Sequence, residues 1–81
     1  MKIPRDVNGA KLTRALHVLG YERVRKVGSH IRLTTSLNGE HHVTVPDHKT
    51  LKTGTLLGGV LKPVAAHHGI TVDELLKRLE L

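Results

Sequence analysis

In the run Gly28-Ser29-His30-Ile31-Arg32-Leu33, a histidine and an arginine stand two residues apart, interleaved with two aliphatic residues. Strand side chains alternate between faces, so an extended chain here puts His30 and Arg32 on one face and Ile31 and Leu33 on the other. Imidazole titrates near neutral pH, and guanidinium grips phosphate oxygens through two parallel hydrogen bonds. This pairing suits RNA chemistry. In cleavage by attack of a 2′-hydroxyl on its own phosphorus, a base takes the hydroxyl proton and an acid protonates the departing 5′-oxygen. Cations offset the charge that builds on phosphorus. His30 could fill one proton-transfer role, with Arg25 or Arg32 as the stabilising cation. An exposed basic sheet face with an idle histidine fits the same pattern.

The flanking sequence supplies elements to carry that face. Asn8 caps a first helix over residues 9–19, with Leu12, Leu16 and Leu19 at helical spacing and Gly20 ending it. Residues 21–27 read as a strand with Val24 inward and Arg23 and Arg25 outward. Gly28-Ser29 turns the chain and presents His30 at the start of a second strand, residues 30–35. Leu37-Asn38-Gly39-Glu40 is a hairpin loop, since Asn-Gly accepts the positive φ that tight hairpins need. A third strand, residues 41–45, turns Val43 and Val45 inward and His42 and Thr44 outward, and Pro46 ends the pairing.

A polar link, residues 47–52, leads to a second helix from Thr53-Gly54, with Leu56, Leu57, Val60 and Leu61 as its apolar face. Gly58-Gly59 weakens this helix by up to about 2 kcal/mol relative to two alanines, which close backbone approach to the sheet would explain. Pro63 predicts a kink or a fresh helix start. Thr71-Val72-Asp73-Glu74 matches a capping box and opens a last helix carrying Leu75, Leu76 and Leu79. The order is α-β-β-β-α-α, an α+β fold with a three-stranded antiparallel sheet and helices on one face, forming a single domain over residues 1–81. The exposed face is then expected to show Arg23, Arg25, His30, Arg32, Thr34, His42 and Thr44.

Composition narrows the partners. Net charge is +6, and 11 of the 13 Lys and Arg residues precede Pro63, against four of the seven acids. The first three-quarters of the chain therefore attract polyanions. The apolar share is 38%, with Tyr21 as the single aromatic, and a chain of this length hides only about 60% of its unfolded surface. The core must be thin. Without cysteine, neither disulfides nor thiolate metal sites form, and a reducing cytoplasm is the expected compartment. The charged start Met1-Lys2-Ile3-Pro4-Arg5-Asp6 precedes no apolar run, and no segment approaches the roughly 18 apolar residues of a membrane span.

Other chemistries find less support. His41 and His42 are adjacent on a strand and diverge, and neither they with His48 nor His67-His68 gain a carboxylate or thiolate at familiar spacing, so no metal set is expected. His67 and His68 read as a helix terminus, where imidazolium suits the negative end of the dipole. His17 reads as a surface residue. Ser29 directly precedes His30 with no aspartate to orient the imidazole, which argues against a triad. The glycines at 54, 58 and 59 follow no nucleotide-binding pattern.

Taken in order, Ile3-Pro4-Arg5-Asp6-Val7-Asn8-Gly9, Leu19-Gly20-Tyr21, Gly28-Ser29-His30, His42-Val43-Thr44-Val45-Pro46, His48 and Lys52-Thr53-Gly54-Thr55-Leu56 resemble the HicA-type (YcfA-like) toxins of bacterial toxin–antitoxin pairs. The resemblance implies a double-stranded-RNA-binding-like fold and mRNA cleavage with no metal cofactor. It also implies a catalytic histidine at His30 and a HicB-type antitoxin covering the active face. Pro63 to His68 lengthens the region after the second helix relative to many such toxins, and Leu57-Gly58-Gly59 lacks the basic residue often found after Thr-Leu. RNA binding by Arg23, Arg25, Arg32, His42 and Thr44 follows from their expected facing. The same fold also allows a non-catalytic module that grips double-stranded RNA by shape.

Overall fold

The computed structural model describes residues 3–48 and 50–81; Met1 and Lys2 of the charged start and Lys49 of the polar link lie outside the described residues. Helix α1 (Gly9–Leu16) begins where Asn8 accepts a hydrogen bond from the Lys11 amide at 2.7 Å. Its expected last turn tightens into a 3₁₀ turn, His17–Leu19, and Gly20 at φ 81° ends it. Strands β1 (Glu22–Val27), β2 (His30–Thr35) and β3 (His41–Pro46) form an antiparallel sheet in sequence order. Helices α2 (Thr53–Leu56), α3 (Lys62–His68) and α4 (Val72–Leu79) complete the α+β fold. Thr71 caps α4 through the Glu74 amide at 3.1 Å.

The core lies between the helices and one face of β2 and β3. Ile31, Leu33, Val43 and Val45 are buried there against Leu12, Leu16, Leu56, Leu61 and Leu75. All six residues of β1 are exposed, so this strand overhangs the helical layer. Val24, expected inward, is 62% exposed. A bulge between Arg23 and Arg25 makes Val24 an extra residue in the ladder, and simple alternation fails at that point.

Pro63 lies in the first turn of α3, next to the fresh start expected of it, and the segment before it is helical as well. The backbone continues in the right-handed helical region from α2 through a π-helical stretch, Leu57–Leu61, into the first turn of α3. Lys62 donates its amide to the Leu57 carbonyl five residues back, a wide turn just before the proline that lacks an N–H. Gly58 and Gly59 are exposed, with open space where their Cβ atoms would lie. The glycine pair makes no close approach to the sheet. Gly9 does: a Cβ there would overlap the Pro46 carbonyl and come 2.9 Å from the Asp47 Cα.

One polar cluster sits behind the core. The buried Tyr21 hydroxyl lies 2.7 Å from His41 Nδ1 and 3.2 Å from His68 Nε2. His41 stacks on His67 at 4.5 Å between ring centroids. His67 Nε2 must carry its proton, because it faces two carbonyl oxygens, those of Leu37 and Gly39, each at 3.0 Å. Asn38 returns a hydrogen bond to the His67 carbonyl at 2.7 Å, which pins the β2–β3 loop to the end of α3. Burial pushes the Tyr21 hydroxyl up to about 12. Partial burial, then the neighbouring imidazoles, push His41 and His68 below the ordinary imidazole value, with Arg78 adding to the effect on His68. His68 therefore ends its helix as the neutral base, contrary to the imidazolium expected at that terminus.

Two outcomes follow for stability. The unfolded chain takes up protons at His41 and His68 before the folded chain does, so stability falls as pH drops through and below about 6.5. Melting at pH 7.5 and pH 5 should show a lower midpoint in acid, and His41→Gln with His68→Gln should flatten that difference. An equal midpoint at both pH values would count against the cluster. Gly9→Ala should destabilise by about 1–3 kcal/mol in urea unfolding, because α1 must shift off the end of β3.

Candidate functional site

The site begins at a two-residue hairpin. Val27 and His30 form the last β1–β2 pair, and Gly28-Ser29 closes the loop. Gly28 has φ 58° in the first central position, the pattern of a type II′ turn. Its Cβ would meet nothing within 4 Å, so the need for glycine there is conformational rather than steric. On the other flank His30 stands in register with Pro46. The next residue, Asp47, donates its amide to the Ser29 carbonyl at 2.6 Å, and its carboxylate meets Lys26 Nζ at 2.5 Å. That hydrogen bond first, and then the Lys26 charge, hold the Asp47 carboxyl below its ordinary value, with Arg23 and His48 adding to the field.

Residues directly opposite in an antiparallel ladder share a face, so the register defines three rows on the side away from the helices. Val27, His30 and Pro46 form the first row. Arg25, Arg32 and Thr44 form the second, and Glu22, Thr34 and His42 the third. Successive rows are two residues apart, roughly 7 Å along the strands. His30, Arg25, Arg32, Thr44 and His42 are all exposed. The two arginines stand one row from the histidine, within reach of one phosphodiester. Cross-strand like charges repel at such positions. Among the described residues neither arginine has an ion-pair partner.

His42 stands two rows, about 13 Å, from His30. Its ring is held by Thr34 Oγ1 at 2.6 Å through Nδ1 and lies 3.0 Å from Glu40 through Nε2. The face thus carries two histidines at separate places along one track. Arg23 is not on that track. The bulge puts it in register with Leu33, on the helix side of the overhanging strand. Sequence periodicity missed this because one inserted residue leaves no composition signal.

Sequence reasoning also passed over Lys26 and Asp47, which meet across 21 residues of chain. Asp47 was read only as part of a link, and no local pattern reports such a pairing. Among the described residues no three His, Asp or Glu side chains gather as a metal set. Among them, too, no helix is long and apolar enough to cross a membrane.

Compared with known proteins, the chain has no match among curated proteins or solved structures. A family model described as the HicA toxin of bacterial toxin-antitoxin matches residues 9–58. That span runs from the start of α1 through all three strands into the π-helical stretch, and it contains the His30 hairpin and Asp47. It covers more than half of the 81 residues, and the chain belongs to the HicA toxin family of toxin–antitoxin systems.

Proposed function

We propose that this toxin is an endoribonuclease that cleaves mRNA in the cytoplasm without a metal, using His30. The supporting observation is the exposed His30 one row from the facing Arg25 and Arg32. A phosphodiester laid on the second row relieves the arginine repulsion and brings its sugar and leaving oxygen toward the imidazole. His30 then serves as general acid or base for attack by the adjoining 2′-hydroxyl, and the arginines offset charge on the phosphorane. Thr44 and His42 continue the track toward a flanking nucleotide. Arg23, on the other side of β1, contributes to the long-range field more than to contact. A HicB-type antitoxin would silence the enzyme by covering this open face.

Purified toxin should cut a long mRNA in EDTA, and His30→Ala should lose cleavage by on the order of 10²–10⁴ while keeping its melting midpoint. Binding of RNA by both proteins with cleavage by neither would favour a non-catalytic double-stranded-RNA-binding module. Equal cleavage by both would remove His30 from the chemistry. Arg32→Ala should weaken RNA binding and lower the slope of log K against log salt by about one, because one phosphate contact is lost. Arg23→Ala should change that slope less.

A further inference from the structure

We propose that Asp47 is a positioning residue for His30, acting through Lys26 and Ser29 as a clasp behind the hairpin; this rests on the catalytic reading of His30. The need for a clasp comes from the surroundings of β2's first residue. On one side lies β1, whose six residues are all exposed and which the helices do not cover. On the other lies Pro46, opposite His30 in a pair that exchanges no backbone hydrogen bond. The His30 end of the sheet therefore lacks helical packing over β1 and has no direct backbone bond from Pro46.

Asp47 fastens this end. Its amide continues the ladder one residue past Pro46 and holds the Ser29 carbonyl at 2.6 Å. Its carboxylate reaches Lys26, which is in register with Ile31 and so lies on the face opposite His30. One residue thus ties β3, the turn and β1 together behind the imidazole. It does so without entering the face where RNA would lie, so it touches neither substrate nor reacting atoms.

The pair is a third exposed, at 37% for Lys26 and 34% for Asp47, so it adds little to global stability. Its effect is on placement, where a misplacement of about 1 Å can cost on the order of 10²-fold in rate. The Lys26 ammonium keeps the carboxyl ionised well below neutral pH, so the clasp persists under the conditions of cleavage.

The test is a double-mutant cycle on the full-length toxin, with kcat, KM and melting midpoint measured for Asp47→Asn, Lys26→Gln and the two combined. Each single variant should lose about tenfold in kcat with a midpoint near wild type, and the combined variant should lose no more than either alone. KM should hold or fall, because Asp47→Asn removes a negative charge from a surface that binds a polyanion. Lys26→Arg should restore kcat. Wild-type kcat in Asp47→Asn would overturn the proposal. So would multiplying losses in the combined variant, or losses that merely follow a fallen midpoint. His30→Ala run alongside separates the two levels. If it cuts as well as wild type, the catalytic reading fails and takes the clasp's role with it; if it is inactive while Asp47→Asn is normal, only the clasp fails.

Discussion

A thin core that covers one side of two strands is the constraint behind the rest of this molecule. With one aromatic residue and no Phe or Trp, the chain fills its interior mostly with leucine and valine. That is enough to seal the inner face of β2 and β3 beneath the helices. It leaves the other face and the whole of β1 in water. Basic side chains on an open sheet cost little there, since solvent screens them. The toxin thus presents Arg25 and Arg32 side by side on an open sheet face.

The parts of this arrangement that were legible in the sequence are those decided within a few residues. Asn8 and Thr71 cap where their side chains can reach the next turn, and Gly28-Ser29 turns the chain because glycine alone accepts that φ cheaply. The alternation of Ile31, Leu33, Val43 and Val45 correctly divides β2 and β3 into two faces. Alternation misled at β1, where the bulge at Val24 reverses the side of Arg23 without changing residue types. Pro63 and the glycine pair were read by propensity, yet the helical backbone runs up to the proline through a π-helical turn of which only the glycines lie open to solvent.

Distance along the chain marks the other limit. Lys26 finds Asp47 across 21 residues, and Tyr21 finds His68 across 47. Neither contact has a local signature. His41, His67 and His68 are taken up in joining the sheet to the end of α3, while His30 and His42 are left on the outer face. Seven histidines in one short chain thus divide by environment into structural and exposed groups, and only the register shows which imidazole stands beside paired arginines.

The central claim is that His30 moves a proton in an attack by RNA's own 2′-hydroxyl, and substrate chemistry tests it most directly. Once a cut site is mapped, an RNA carrying a single 2′-deoxy nucleotide on the 5′ side of that bond should be digested in EDTA. The account predicts that cleavage stops at the modified bond and continues elsewhere. It also predicts that products from unmodified RNA carry a 2′,3′-cyclic phosphate and a free 5′-hydroxyl. Cleavage at the deoxy-substituted bond would mean another nucleophile does the work and would contradict the account.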